Sequence, residues 1–310
     1  MMPAIYYTIS IDVEPDCTPS WHYSNPLAFD GVHKGICKIL QPLFNDLSVK
    51  PTYLINNVVL EDDDSVGSLQ SLNGTFELGT HLHPEFMEPQ KQFFDYAGKK
   101  GEANCCFFEP NIEFEKLRNI TELFEKKFRY RPTSFRAGRF SAGINTMNSL
   151  RRLNYSVDSS VTPHVNWSDK TREKPVNYRH ANEQPYWIKE NSYLETASKE
   201  QTLLEVPVTI DLQKRWFIKE RVSWLRPVYS SSRELKTVID NHLRRYRNNK
   251  TVVLNMMFHN VEVMPGSSPY VQNALQRQQY LDQLRFFISY VSKLGGQSVG
   301  LSDLFQIFKG

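Results

Sequence analysis

The residues that could do chemistry begin with two pairs of identical spacing. Asp12 and Glu14 are separated by one residue, as are His81 and His83. Because successive side chains of a strand point to opposite faces, the members of each pair share one face. A carboxylate and two imidazoles with an open fourth position are ligands of a catalytic Zn²⁺, with water as the remaining ligand. The pairs therefore indicate a metal site, with a polar strand end and a capping or turn carboxylate as the alternatives.

Three more ionisable side chains follow segments that have the composition of strands. Arg136 and Arg139 lie within and just after "TSFRA", and His259 ends "TVVLNMMFH". A surface salt bridge is the alternative for the arginines, and a hydrogen-bonded core histidine is the alternative for His259. Together with the two pairs, these residues place polar groups at the ends of four strands. We expect them to form one site.

Secondary structure must bring these groups to one edge of the fold. Runs of β-branched and aromatic residues predict strands, and apolar residues at helical spacing predict helices between them. The predicted strands span 5–13, 51–60, 75–83, 133–137, 155–161, 203–210 and 251–259, the predicted helices span 32–47, 112–128, 145–153, 234–246 and 273–294, and a short last segment spans 297–305. The alternation implies a parallel α/β sheet, either open and doubly wound or closed as a (β/α) barrel. We favour the barrel, in which sites lie at the carboxyl ends of the strands.

The length of the chain allows one large domain or two smaller ones. We assign all 310 residues to a single domain, 1–310, because the strand and helix alternation runs through the chain. Residues 162–200 lack periodicity and are predicted to form a long polar insertion over one face of the barrel. The four cysteines fit no metal or disulfide pattern and are interpreted as free thiols.

The charge and the N-terminus limit the partners and the location. The chain has 37 basic and 34 acidic residues spread along it, which argues against a nucleic-acid partner. No signal-peptide pattern is present, and no apolar run reaches the length of about 18 residues that a membrane span needs. We expect a cytoplasmic protein without an integral membrane segment, and the sequence sets no oligomeric state.

Five ordered motifs resemble one known family. They are "TISIDVEPD" (8–16), "FELGTHLHPE" (76–85), "SFRAGRFSAG" (134–143), "YSVDSSVTP" (155–163) and "MFHNVEVMPGSSPY" (257–270). Over essentially the full chain they resemble the NodB-like polysaccharide deacetylases, carbohydrate esterase family 4, in the branch whose first motif reads Asp-Val-Glu. The resemblance implies a distorted (β/α)7-type barrel, a divalent metal, and hydrolysis of an N-acetyl group from a saccharide. The implied substrate is a cell-envelope or surface glycan or its precursor.

The resemblance also implies roles in proton transfer. Asp12 matches the carboxylate that acts as general base, and Arg136 matches the arginine that pairs with the base and holds it ionised. His259 matches the general acid that protonates the departing amine. Asp158 falls in the motif where the family places a carboxylate near that acid.

The implied metal ligands are Glu14, His81 and His83, with Zn²⁺ as the expected ion and Co²⁺ or Ni²⁺ as alternatives. The family's second metal histidine lies four residues after the first, at the position of Glu85 in this chain, which leaves His83 and Glu85 as alternatives for completing the metal site. Glu14 stands where the family has aspartate. These departures suggest a catalytically silent carbohydrate-binding protein as an alternative function. Because a fold does not determine its substrate, a hydrolase of another amide or ester is a further alternative.

Several other features could contribute to a saccharide pocket or to the scaffold. Trp21, His22, His164 and Trp167 are candidates for its walls. The segment 215–229 interleaves aromatic and basic residues. Its alternatives are stacking on sugar rings, lining the site, approach to an acidic membrane surface, or an amphipathic structural role. The acidic run 61–65 is predicted to be a solvated loop after a strand.

Overall fold

The computed structural model describes residues 3–91, 102–168, 176–215, 218–228 and 231–310. The strands are β1 (Ala4–Val13), β2 (Thr52–Asn56), β3 (Glu77–Leu82), β4 (Ser134–Ala137), β5 (Val157–Asp158), β6 (Tyr186–Trp187), β7 (Leu204–Glu205), β8 (Ile210–Arg215), β9 (Ile218–Trp224), β10 (Thr251–His259) and β11 (Gln297–Ser298). The helices are a π-helix (Gly31–Leu40) that continues into α1 (Gln41–Asp46), then α2 (Asn57–Glu61), α3 (Asp63–Gln70), α4 (Pro110–Phe128), α5 (Ile144–Arg152), α6 (Ser232–Arg245), α7 (Ala274–Lys293) and α8 (Leu301–Lys309). Short 3₁₀ turns span Pro84–Phe86, Cys105–Phe107, Gly138–Phe140 and Asn260–Val263.

One curled sheet of nine strands forms the centre of the fold. Its order is β10-β1-β2-β3-β4-β5-β7-β6, with β11 beside the start of β1. The strands pair in parallel except for β6, which is antiparallel to β7. The Thr209 N–H donates to the carbonyl of Asn255 in β10 at 3.0 Å, which connects the chain beyond β7 to the opposite edge of the sheet. The sheet is therefore a half-barrel, and the predicted distorted barrel of parallel strands is confirmed.

The two faces of β1 explain why the inside of the half-barrel is polar. Ile9 and Val13 are fully buried in the main apolar cluster that the helices share on the outside of the sheet. Ser10 and Asp12 point to the other face, as the two-residue period of a strand requires. There the Ser10 hydroxyl donates to Oδ1 of Asn255 at 2.7 Å. One strand thus supplies both the apolar core and the polar lining that leads to the site.

The strand predicted for 51–60 is wrong in its second half. β2 ends at Asn56, whose Oδ1 accepts a hydrogen bond from the Val58 N–H at 2.8 Å and caps α2. Residues 57–60 are all buried, so this short helix has no polar face. Without a polar face there is no helical alternation to read in the sequence, and an apolar helix resembles a buried strand.

The acidic run 61–65 begins a helix instead of forming the predicted loop. Asp62 accepts a hydrogen bond from the Ser65 N–H at 2.9 Å and is the N-cap of α3. Asp63 and Asp64 occupy the first turn of α3, where carboxylates interact favourably with the helix dipole.

The second half of the sheet is shorter than predicted. The strands predicted for 155–161 and 203–210 contribute only the two-residue pairings of β5 and β7 to it. The polar segment 162–200 adds β6 to the sheet edge. Within 215–229, β9 pairs with β8 in a separate antiparallel hairpin, whereas residues 216, 217 and 229 lie outside the described residues.

Long helices cover the outer face of the sheet. Leu117, Ile120 and Phe124 of α4 and Leu284 and Phe287 of α7 are fully buried in the same apolar cluster as β1. Among the described helices, none has both the length and the apolar character that crossing a lipid bilayer requires. The four cysteines are free thiols.

Candidate active site

Strand register places four of the predicted residues at one edge of the half-barrel. Asp12 near the end of β1 is in register with His259 at the end of β10. His81 near the end of β3 is in register with Arg136 in β4. Because the strands are parallel, their carboxyl ends meet at the same edge. The fold therefore brings these four side chains into one site.

Three side chains offer ligand atoms that converge on one point. Oε1 of Glu14 lies 3.0 Å from Nε2 of His81 and 2.9 Å from Nε2 of His83, and the two Nε2 atoms are 3.1 Å apart. All three side chains are buried. A tetrahedral Zn²⁺ with bonds of about 2.0–2.2 Å separates its ligand atoms by about 3.3–3.6 Å. The donor types therefore fit a divalent ion, and the three atoms, now 2.9–3.1 Å apart, need to separate by only a few tenths of an ångström to bind one.

A backbone carbonyl fixes which nitrogen of His81 faces this point. Nδ1 lies 3.1 Å from the carbonyl oxygen of Arg136, which can only accept, so Nδ1 carries the proton. Nε2 then has the lone pair that a metal ligand needs. Glu14 is held in turn by the hydroxyl of Tyr23, which donates to Oε2 at 3.2 Å. When both rings are instead doubly protonated, burial raises the pKa of Glu14, but the charge of His83 and hydrogen bonds from Nε2–H of both histidines outweigh burial and hold the pKa well below its ordinary value.

Arg136 anchors the candidate base. Its fully buried guanidinium donates from Nη1 to Oδ1 of Asp12 at 2.7 Å and from Nη2 to the Ser10 hydroxyl at 2.7 Å. Burial raises the pKa of Asp12, but the positive charge of Arg136 and the neighbouring histidines outweigh burial and lower it. The second oxygen, Oδ2, lies 3.9 Å from Nε2 of both His81 and His259. Asp12 thus stays ionised with one oxygen directed at the metal-binding point.

The candidate acid has its own carboxylate partner. Nδ1 of His259 lies 2.8 Å from Oε1 of Glu262, which also accepts the His259 backbone N–H at 3.0 Å. Arg226 and the hydroxyl of Tyr280 bind the same carboxylate. Burial lowers the pKa of His259, but the hydrogen bond to Glu262 and the charges of nearby carboxylates outweigh burial and raise it. Nε2 of His259 is left to face the cleft.

The carboxylate beside the acid differs from the one expected. Asp158 at the end of β5 accepts a hydrogen bond from the Ser160 hydroxyl at 2.7 Å and has the carboxyl of Glu205 as its neighbour. Burial raises the pKa of both carboxyls. Asp158 does not line the cleft, and Glu262 occupies the place at His259 that was expected for Asp158. The sequence signal was the spacing of three residues between His259 and Glu262, which lets the two side chains meet across one tight turn.

A cleft of about 500 Å³ lies over these groups. The Trp21 ring lies 5.0 Å from the His259 ring and 5.4 Å from the Tyr270 ring, so two aromatic residues border the candidate acid. Phe140 and Trp167 also line the cleft and stack on each other at 6.0 Å. Flat apolar surfaces therefore flank the ionisable groups.

The other predicted residues divide between the cleft and the scaffold. Arg139 lines the cleft. His164 does not, because its Nε2 binds Glu183 at 2.6 Å. His22 is exposed and does not line the cleft either.

Comparisons with known proteins show the fold. No protein-family model matches the chain, and no curated protein matches it in sequence. A proposed glycoside hydrolase/deacetylase from Parabacteroides distasonis superposes with a TM-score of 0.68 at 13% identity, over 99% of this chain and 72% of that one. A proposed polysaccharide deacetylase from Mycobacterium smegmatis gives a TM-score of 0.54 at 15% identity, over 98% of this chain and 90% of that one. PuuE allantoinase superposes with a TM-score of 0.58 at 13% identity, over 98% of this chain and 89% of that one.

These structures share the half-barrel fold with this chain. Their identities are too low to carry an activity across, because one fold supports several chemistries. The Asp-Val-Glu branch of the family stays a prediction. The site has to be interpreted from its own side chains.

Proposed function

We propose that the protein is a metal-dependent hydrolase that removes an N-acetyl group from a saccharide. One observation supports this most strongly. A three-donor cation site, an ionised carboxylate and an imidazole backed by a carboxylate share one cleft at the strand ends. Hydrolysis of an amide needs an activated water, a base and an acid for the departing amine. The cleft offers a group for each of these needs.

Glu14, His81 and His83 would hold the ion. Two imidazoles and one carboxylate with an open position suit Zn²⁺ best, with Co²⁺ or Ni²⁺ as alternatives. When bound, such an ion polarises a carbonyl group and acidifies a water molecule. The half-buried, aromatic-flanked cleft limits the competing solvent around these groups.

Asp12 would take the proton of the attacking water. Its Oδ1 is occupied by Arg136, so Oδ2 is the oxygen available to accept a proton. Because Arg136 lowers the pKa of Asp12, the carboxylate is ionised at neutral pH and ready to act as a base. Arg136 itself is bound on several sides within the barrel and cannot swing away.

His259 would donate a proton to the departing amine. Collapse of the tetrahedral intermediate without this proton would expel an amide anion, a very poor leaving group. Glu262 raises the pKa of His259 and orients the ring through Nδ1, so Nε2–H points into the cleft. The carboxylate thus both orients the histidine and stabilises its protonated form, as a general acid requires.

The saccharide part of the proposal rests on the walls of the cleft. Trp21 and Tyr270 on one side, with Phe140 and Trp167 also lining it, offer flat apolar surfaces on which sugar rings pack. Two fold neighbours are proposed to be deacetylases, which agrees with a sugar substrate. A cell-envelope or surface glycan, or its precursor, is the substrate we expect.

A different bond is the second candidate function. The same fold occurs in an allantoinase, so the fold does not choose between a sugar amide and another amide or an ester. A catalytically silent carbohydrate-binding protein is the third candidate function. It is suggested because Glu14 replaces the aspartate of the family pattern, and because His81 and His83 are closer in sequence than the two histidines of that pattern.

Product release from a substrate panel separates these functions. Zinc-loaded protein is incubated with N-acetylglucosamine oligomers and with O-acetylated saccharides, and free amine and acetate are both measured. We expect amine and acetate in equal amounts from the N-acetyl substrates. Acetate from O-acetyl substrates alone would support the esterase, and no product with wild-type zinc binding would support the silent protein.

Replacing the acid provides the matched test of the mechanism. His259→Gln should lower kcat by about 10²–10⁴-fold, because general acid catalysis contributes that much. His180→Gln changes an exposed histidine outside the cleft and should leave kcat unchanged. Equal activity of His259→Gln and wild type would contradict the assigned role.

A further inference from the structure

Glu85 lies directly behind the second candidate metal histidine. Its Oε1 is 3.6 Å from Nδ1 of His83, the ring nitrogen opposite to the one that faces Glu14 and His81. The Glu85 side chain is almost completely buried, and the residue does not line the cleft. Glu85 therefore meets His83 from the protein side, not from the side where substrate would enter.

The turn after β4 holds Glu85 in that place. Nη1 of Arg139 lies 2.7 Å from Oε1 of Glu85, the same oxygen that faces His83, and it also lies 3.5 Å from Nδ1 of His83. Arg139 has a φ of 53°, a left-handed conformation that is uncommon for a residue with a side chain. Such conformations persist where the surroundings impose them. The unusual backbone thus directs a cation to the carboxylate that faces the histidine.

The ring of His83 is also confined by its neighbours. Phe86 stacks on it with an interplanar angle of 10° and a centroid distance of 6.4 Å. A Cβ added to Gly138 would lie 2.8 Å from Cδ2 of His83, so the absence of a side chain at Gly138 leaves the space that the ring fills. The ring can offer only one edge to the cleft and the other edge to Glu85.

Metal binding by His83 requires its ring proton to be on one particular nitrogen. To bind a cation, Nε2 of His83 needs its lone pair, so the ring proton must be on Nδ1. A hydrogen bond from Nδ1–H to a carboxylate orients a metal-binding histidine and makes Nε2 a stronger donor of its lone pair. Glu85 is the carboxylate nearest to Nδ1, at 3.6 Å, and it would accept that bond after an approach of about 0.5 Å while Arg139 holds its other side.

We propose that Glu85, held by Arg139, is a positioning residue that makes His83 a metal ligand, and that Glu85 does not bind the metal itself. This inference rests on the proposed metal site. It explains two departures within one motif, the short histidine spacing and the carboxylate two residues later, by a single arrangement. The imidazole at position 83 binds the ion, and the carboxylate at position 85 orients that imidazole.

Zinc affinity of metal-free protein tests the proposal without using activity. Wild type, Glu85→Gln, Glu85→Ala and His83→Ala are titrated with Zn²⁺ against a competing chelator. Glu85→Ala should weaken binding about 10–100-fold, the usual effect of losing an outer carboxylate. Glu85→Gln should weaken it less, because an amide oxygen still accepts the Nδ1 proton. His83→Ala should weaken it more than Glu85→Ala, because it removes a ligand.

Glu262→Gln is the matched control. Glu262 supports a histidine that is not a metal ligand, so its replacement should leave zinc affinity unchanged. Thermal unfolding of each variant in chelator shows whether a loss of affinity reflects unfolding. In zinc-loaded wild type, the imidazole ¹H–¹⁵N spectrum should show His83 protonated at Nδ1, and Glu85→Ala should speed exchange of that proton with water.

The possible outcomes distinguish failure of the positioning role of Glu85 from failure of the proposed metal-dependent function. Folded Glu85→Ala protein with wild-type zinc affinity would overturn the positioning role. A larger loss in Glu85→Ala than in His83→Ala would overturn it as well, because Glu85 would then be the ligand. Absence of zinc binding by wild type would instead reject the metal-dependent function on which the inference rests.

Discussion

The candidate base Asp12 and the candidate acid His259 each direct one edge into the cleft, and each binds a partner side chain with the opposite edge. Arg136 holds the outer oxygen of Asp12, and Glu262 holds the outer nitrogen of His259. These outer partners set both the orientation and the charge of the groups they contact. Burial alone would favour the neutral form of each group, so the outer partner decides the protonation state in which it can act.

The pH dependence of activity should show these charges directly. Asp12 must be ionised, and its lowered pKa keeps it so down to acidic pH. His259 must be protonated, and its raised pKa keeps it so above its ordinary value of 6.5. The pH profile of kcat/KM should therefore have an alkaline limb above 6.5. Glu262→Gln should move that limb to lower pH, because it removes the negative charge that stabilises the imidazolium.

A pH series of initial rates for wild type and Glu262→Gln provides the measurement. The acid limb serves as the internal control, since Glu262 is not the partner of Asp12. An alkaline limb that stays in place in Glu262→Gln would contradict the assignment of His259 as the acid.

The sequence indicated the inner residues and Arg136, but it did not indicate the roles of the outer carboxylates Glu85 and Glu262. The pairs Asp12/Glu14 and His81/His83 were recognisable because strand alternation puts both members of a pair on one face. Glu85 and Glu262 each follow a histidine in a turn, and no periodic pattern links a turn residue to its target. Asp158 was expected at the acid because its motif resembles the family, but its strand directs it towards Glu205.

At the scale of elements, the turns after the strands position the ligands. The 3₁₀ turn Gly138–Phe140 follows β4 directly and packs against the end of β3. A Cβ at Gly138 would lie 2.7 Å from the carbonyl oxygen of Leu82 and 2.8 Å from the ring of His83. The turn and the end of β3 approach each other so closely that only glycine fits at position 138.

Gly138→Ala should disturb the metal site and the fold together. The added methyl group must displace the His83 ring or the β3 backbone, which we expect to cost about 1–3 kcal/mol of unfolding free energy. Zinc affinity should fall because the displaced ring no longer faces Glu14 and His81. Urea unfolding and zinc titration measure the two effects.

Gly67→Ala is the matched control. Gly67 is exposed within α3, and a Cβ there would meet no atom within 4 Å. This variant should be about 0.4–1 kcal/mol more stable, with unchanged zinc affinity. If Gly138→Ala behaved like Gly67→Ala, the close packing of the turn against His83 would be refuted.

Element prediction succeeded where one face of the element is polar. The long helices α4 and α7 were placed within two residues of their observed bounds because their apolar stripes repeat at helical spacing. α2 was missed because its residues 57–60 are all buried and therefore show no such stripe. β5 and β7 were predicted as longer strands, whereas the two-residue strand β6 carries too few residues for any period to show.

At the scale of the whole molecule, the curl of the sheet assembles the site. Residues from position 12 to position 259 meet because β10 pairs with β1 and the sheet bends until its edges are joined through Asn255. The alternation of strands and helices predicted a parallel α/β fold. Together with the family resemblance it also predicted a distorted barrel, but not the strand order, because that order depends on contacts between segments far apart in the sequence.

X-ray diffraction at the zinc absorption edge, from crystals of zinc-loaded protein, tests the central claim most directly. We expect one anomalous peak in the cleft, bound by Glu14, His81 and His83, with Glu85 on the far side of the His83 ring. Refinement against the same data would show the coordinating atoms. A cleft without a peak, or an ion bound by Glu85 in place of His83, would contradict the metal site described for this protein.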